Sequence, residues 1–130
     1  MVFIMKIMLI DDSKTIRKSV ELYMKESGHE VILAVDGYEA LSKISEHLPD
    51  IIFVDITMPR LDGYQTCALI KRNHRYKAIP VLMLSSKSGL FDKAKGRVVG
   101  ADDYLTKPFT KASLLETIQR FNTQQKLATN

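Results

Sequence analysis

A single cysteine, Cys67, is all that this chain carries. It can form neither an intrachain disulfide nor a cysteine metal cluster, and a reduced, cytoplasmic setting is the simple expectation. Long apolar runs are missing too. Met1 to Ile10 is apolar except for Lys6, but such a stretch falls well short of the roughly 20 residues that a membrane-spanning helix needs. Asp11-Asp12 follows it where a signal peptide would show small residues. The stretch therefore reads as a buried strand, not as a leader or an anchor. Met1–Ile4 look dispensable for that strand, which makes Met5 an alternative start. A strong charge excess is also absent: 19 basic against 15 acidic residues give a formal +4. That could suit an acidic partner surface, but it is too weak to argue for nucleic acid. What remains is a chain of 130 residues with 45% apolar content, enough for one domain around a single core and far too apolar for disorder.

Short apolar runs alternate with helical patterns along the chain. Met5–Ile10 reads as the first strand. Ser13 is placed to cap the helix that follows, because its hydroxyl can accept an orphan backbone N–H. Ile16, Val20, Tyr23 and Met24 recur at helical spacing, and Gly28 ends the helix. Val31–Val35 reads as a second strand, and Asp36-Gly37 turns into a helix carrying Ala40, Leu41 and Ile44, broken at Pro49-Asp50. Ile51–Val54 is a third strand ending at Asp55, with a helix predicted over Tyr64–Asn73. Pro80–Leu84 is a fourth strand, followed by a helix over Phe91–Val99 that stops at Gly100. Asp103–Thr106 is a short fifth strand, and Leu114, Leu115, Ile118 and Phe121 mark the last helix. The domain is expected over residues 5–122, with 123–130 a polar tail that frays. Five βα units imply an α/β fold with a parallel sheet covered on both faces. Uninterrupted apolar strands agree with that, since they are buried on both sides.

In such a sheet, ligands bind beyond the carboxyl ends of the strands. Those ends carry Asp11 and Asp12 after strand one, Asp55 after strand three and Ser85 after strand four, with Lys107 just past strand five. In a doubly wound order these positions could converge. Crowded carboxylates repel one another and tend to hold protons unless a cation joins them. Mg²⁺ suits an all-oxygen set of few carboxylates, whereas zinc would call for His or Cys. A lysine could pair with an acid or a phosphoryl oxygen, and a serine hydroxyl could donate to another. Together these groups fit a phosphoryl group carried on a carboxylate.

The motifs Ile10-Asp11-Asp12-Ser13, Val54-Asp55-Ile56-Thr57-Met58-Pro59, Leu61-Asp62-Gly63, Leu84-Ser85-Ser86 and Thr106-Lys107-Pro108-Phe109 resemble the receiver domain of two-component response regulators, the CheY-like family. The resemblance spans residues 5 to 121 or so. It implies a flavodoxin-like (βα)5 fold with strand order 2-1-3-4-5. It also implies that Asp55 is the phosphoacceptor, and that Mg²⁺ is held by Asp12, Asp55 and the Thr57 carbonyl, with Asp11 acting through a water. Lys107 would pair with Asp55 at rest and with the phosphoryl group afterwards, and Ser85 would hydrogen-bond a phosphoryl oxygen. Many members have Thr where this chain has Ser85; either can donate. Tyr104 matches the aromatic switch. A cis bond before Pro108 belongs to the same pattern, and Lys87, like Thr57, occupies a position that tunes phosphoryl lifetime. Partners implied are a chemotaxis-like sensor histidine kinase and an effector on the face of helix four, strand five and helix five. Such a protein is a switch and not an enzyme: it catalyses only its own phosphorylation and dephosphorylation. Two further stretches, Asp55 through Lys71 and Leu84 through Arg97, are similar to the PilG-type regulators of twitching motility, which implies control of type IV pili.

Other readings are weaker. A regulator that binds a flagellar motor shares the same core motifs. An aspartate-nucleophile phosphatase would need a second acid where Thr57 stands. A flavin-binding module would set Asp11-Asp12 against a phosphate. Lys71-Arg72-Asn73-His74-Arg75-Tyr76-Lys77 suggests a nucleic-acid patch, but cations favour a helix C-terminus, and a solvated loop is the expectation there. His29, His47 and His74 show no ligand constellation.

Overall fold

The computed structural model describes residues 4–86 and 90–128, and the side chains of 4–86 and 93–122. Five strands, β1 (Lys6–Ile10), β2 (Glu30–Ala34), β3 (Ile51–Asp55), β4 (Val81–Ser85) and β5 (Asp103–Thr106), alternate with five helices, α1 (Lys14–Ser27), α2 (Gly37–His47), α3 (Gly63–Arg72), α4 (Leu90–Val98) and α5 (Lys111–Ala128). The sheet runs β2-β1-β3-β4-β5, every neighbouring pair is parallel, and this is the doubly wound order that the resemblance implies.

Strands β1, β3 and β4 read as continuous apolar runs because helices cover both of their faces. Side chains alternate across the sheet. Met8, Ile10, Ile52, Val54 and Met83 therefore pack with Ala40, Ile44, Cys67 and Ile70 on one face. Ile7, Leu9, Phe53, Leu82 and Leu84 pack with Val20, Met24, Leu114, Ile118 and Phe121 on the other. Each fully buried side chain of this kind contributes about 1.5–3 kcal/mol relative to exposure.

The helix ends follow local chemistry. Ser13 accepts the Ile16 N–H at 3.3 Å, and Gly28 closes α1 at φ 80°. Asp62 and Gln65 form a reciprocal capping box at the start of α3, which satisfies two orphan donors at once.

Several boundaries differ from the sequence reading by one residue: β2, for example, is Glu30–Ala34 and not Val31–Val35, and α3 is Gly63–Arg72 and not Tyr64–Asn73. Strands β3 and β4 extend one residue further, into Asp55 and Ser85, because both positions pair with the neighbouring strand. Helix α5 continues to Ala128, past the point where fraying is expected, since the last residues are polar but contain no helix breaker before that residue. The basic run after α3 is not wholly a solvated loop. Lys71 Nζ donates to the carbonyls of Lys77 (3.1 Å) and Ile79 (2.7 Å) and pairs with Asp102 at 2.7 Å, and Tyr76 is buried. Among the described residues, no helix is long and apolar enough to cross a membrane.

Candidate functional site

The strand register builds the site. Ile10 lies opposite Val54, Asp55 opposite Leu84 and Ser85 opposite Thr106. Asp11, Asp55, Ser85 and Lys107 therefore leave four adjacent strands at one level. The main chain holds them there. Asp11 N–H donates to Ala34 O at 3.1 Å, Ile56 N–H to Leu84 O at 2.9 Å and Lys107 N–H to Ser85 O at 2.6 Å. The peptide bond between Lys107 and Pro108 is cis, in line with the resemblance.

Asp11, Asp12 and Asp55 bring one carboxylate oxygen each to within 4.8 Å of one another. Asp11 and Asp55 are buried and Asp12 is exposed. Lys107 Nζ reaches between the two buried acids, 2.7 Å from Asp11 Oδ2 and 3.2 Å from Asp55 Oδ1. The lysine expected beside Asp55 is thus shared with Asp11, and Asp11 is the nearer partner. The other Asp11 oxygen accepts the Ser13 N–H at 2.9 Å. Thr57 N–H reaches Asp55 Oδ1 at 3.4 Å.

Burial pushes the Asp55 carboxyl up to about 6, and the Asp11 charge adds to the effect; Lys107 and the Thr57 N–H oppose it. Burial works against the Lys107 ammonium, but its hydrogen bond and charge pairing with Asp11, and then with Asp55, outweigh that and raise its pKa. Three carboxylates facing one ammonium leave a net negative pocket of oxygen donors. This donor set fits a hard divalent cation that keeps several waters, and it offers no nitrogen or sulfur to zinc.

Tyr104 pairs with Met83 across β4 and β5 and is half-buried. It borders a cavity of about 340 Å³ between α4 and β5, shared with Lys93, Gly96 and Arg97. The Lys93 ammonium lies 5.9 Å from its ring centroid. Tyr104 is thus separated from the carboxylates by β4, on the flank of the site. Lys87 falls outside the described residues.

One contributor, Arg17, was not singled out from the sequence, and Gly63 was named only within the Leu61-Asp62-Gly63 motif. Arg17 Nη1 donates to the Asp11 carbonyl at 2.9 Å; it stands one helical turn beyond the Ser13 cap, and that position was the available signal. Gly63 sits where a Cβ would come 2.3 Å from the Asp55 carbonyl oxygen and 2.7 Å from Ile56 Cα. Only a residue without a side chain lets α3 start against the end of β3.

Comparison with known proteins agrees with this geometry. The family described as response regulator receiver domain matches residues 7–119. Protein PilG of Pseudomonas aeruginosa is 64% identical over 115 residues, which cover 88% of this chain and 85% of that protein. The alkaline phosphatase synthesis transcriptional regulatory protein PhoP of Bacillus subtilis is 41% identical over 105 residues, 81% of this chain but 43% of that protein. Among solved structures, the chemotaxis protein CheY4 of Vibrio cholerae superimposes with a TM-score of 0.88 at 36% identity, covering 92% of this chain and 99% of that one. The receiver domain of a Pseudomonas aeruginosa sensor histidine kinase, with a magnesium ion coordinated in its active-site cleft, gives 0.83 at 28% identity over 92% of this chain and 98% of that one. With the motifs, the sheet order and the acidic site all in agreement, the chain belongs to the response regulator receiver domain family.

Proposed function

We propose that this protein is a phosphorylation switch whose acceptor is Asp55 and whose output acts on type IV pilus motility. The observation that carries the reading is the convergence of the Asp11, Asp12 and Asp55 carboxylates at one point, with the Lys107 ammonium between Asp11 and Asp55. Asp12, Asp55 and the Thr57 carbonyl are the direct ligands for Mg²⁺ in this reading, with Asp11 acting through a water. A bound Mg²⁺ would supply charge neutralisation at the phosphoryl oxygens and the attacking carboxylate.

The chain's own residues do the rest. A histidine kinase presents a phosphorylated imidazole; the N–P bond breaks, an O–P bond forms on Asp55, and the imidazole nitrogen is released. Burial and the Asp11 charge disfavour the ionised carboxylate of Asp55, and a cation-loaded site would favour that reactive, ionised form. Lys107 then moves from the carboxylates to a phosphoryl oxygen, and Ser85 donates to another. Those contacts exist only in the phosphorylated state, so they can shift the population of α4–β5–α5 conformers. Tyr104 and the cavity beside α4 lie where such a shift would be read by an effector.

The pilus assignment rests on 64% identity to a PilG over nearly the whole chain, against 36% to a chemotaxis CheY. A cytoplasmic location goes with a histidine kinase donor. The test is labelling with a small phosphodonor such as acetyl phosphate. Mg²⁺-dependent incorporation is expected in the natural protein and none in Asp55→Asn. Label that persists at another residue in that variant would overturn the acceptor assignment. Loss of twitching in a cell carrying only Asp55→Asn would support the pilus output, and normal twitching would remove it.

A further inference from the structure

The loop between β3 and α3 contains a turn that the phosphorylation motifs do not explain. Arg60 has φ 68°, and the N–H of Leu61 donates to the carbonyl of Pro59 at 2.8 Å. A three-residue turn closed around a positive-φ residue is the rarer, strained kind of γ-turn. A residue with a side chain stays there only if its surroundings hold it. Two contacts do so. Arg60 Nη2 lies 2.7 Å from Asp36 Oδ2, and the guanidinium stands 5.8 Å from the Tyr38 ring centroid. Asp36 is itself buried and fixed, because its other oxygen caps α2 through the Glu39 N–H at 2.8 Å. The start of α2 also packs closely here: a Cβ on Gly37 would come 2.6 Å from Leu61 Cδ2 in this loop and 2.3 Å from Thr66 Oγ1 in α3, so there is no spare room between them.

We propose that Arg60, clamped by Asp36, is a positioning residue for the cation site: it holds the γ-turn and through it the Thr57 main chain. This rests on the reading that Asp12, Asp55 and the Thr57 carbonyl hold Mg²⁺. The path is short. Upstream, the loop is tied by Ile56 N–H to Leu84 O and closed by Gly63 N–H to Ile56 O at 3.0 Å. Met58 is buried, and the next fixed point is Arg60. A carbonyl ligand of Mg²⁺ must meet nearly ideal octahedral geometry, so freedom in this turn is felt at the metal. Arg60 touches no reacting group and acts only through the main chain.

The test is calorimetric titration with Mg²⁺ alone, on the full chain at neutral pH, with melting curves in EDTA beside it. Arg60→Gly should lose about tenfold in Mg²⁺ affinity, the scale seen when a residue that orients a metal ligand is removed. Its melting temperature in EDTA should stay close to the natural protein's, because glycine is at ease at positive φ. Asp36→Asn keeps a good α2 cap and should lose affinity similarly, and the double variant should lose no more than the weaker single one. Arg60→Lys should recover part of the loss. Natural affinity in Arg60→Gly, or additive losses in the double variant, would overturn the inference while leaving the metal reading in place. No Mg²⁺ binding by the natural protein would remove that reading, and the inference with it.

Discussion

The ammonium of Lys107 lies 2.7 Å from Asp11 Oδ2, and Asp11 is completely buried. Lys107 therefore serves as the counter-ion that lets a second carboxylate stand beside Asp55 in the absence of a cation. Removing one partner of a buried ion pair leaves an uncompensated charge, which costs more than the pair contributes. Lys107→Met should lose roughly 2–4 kcal/mol in urea unfolding at neutral pH in EDTA. The loss should shrink at low pH, where the carboxylates protonate. A variant equally destabilised at both pH values would point to lost packing instead of lost charge.

The raised pKa of Asp55 carries its own sign. Burial pushes its carboxyl up to about 6 from an ordinary value of 3.8. Between those values the folded state still holds a proton that the unfolded chain has released. Stability therefore falls as pH rises from about 4 to about 6 and stays lower above that. Asp55→Asn has no charge to bury, and Lys107 keeps Asp11 as a partner. The substitution should stabilise the protein in EDTA by roughly 2–3 kcal/mol at neutral pH, and by little near pH 4. Matched thermal melts at the two pH values check this; an unchanged melting temperature at neutral pH would contradict it.

The site's composition was legible in the sequence, and the resemblance implied the pairing of Lys107 with Asp55, but the closer pairing of Lys107 with Asp11 was not legible. Apolar runs buried on both faces announce β1, β3 and β4, and their last residues then fall at one edge of the sheet. That is enough to bring Asp11, Asp55, Ser85 and Lys107 together. The contacts that decide geometry join residues far apart in the chain: Lys107 with Asp11 across 96 positions, Lys71 with Asp102 across 31, Arg60 with Asp36 across 24. No local periodicity or propensity encodes such a pair. The α5 helix was under-called for a related reason. Its apolar stripe in the sequence ends at Phe121, and the residues that follow show no apolar periodicity to signal that the helix continues.

Asp12 is exposed, whereas the other two acids are buried, so its removal should separate metal binding from folding. In the natural protein, Mg²⁺ at ten times its dissociation constant should add about 1.4 kcal/mol of stability, since only the folded state assembles the site. Asp12→Asn should melt like the natural protein in EDTA and show almost none of the Mg²⁺ gain. A full Mg²⁺ shift in this variant would mean that the cation binds elsewhere.

Gly28 and Gly63 are glycines for different reasons, and alanine distinguishes them. Gly28 needs φ 80°, but a Cβ there would meet nothing within 4 Å; Gly28→Ala should cost about 1 kcal/mol through backbone strain alone. At Gly63 the obstacle is the Asp55 carbonyl oxygen, 2.3 Å from where a Cβ would be, with Ile56 Cα at 2.7 Å. Both are main-chain atoms at the end of a fully buried strand, so neither can turn aside as a side chain would. Gly63→Ala should therefore cost about 3 kcal/mol. The displaced atoms are those of Asp55 and its neighbour, so phosphodonor labelling should also fall in proportion to the folded protein present, or further. Gly28→Ala, at the far end of α1, should label normally once folded. Equal stability losses in the two variants would show that α3 can shift away from β3, and the close contact at Gly63 would then not be what holds the loop.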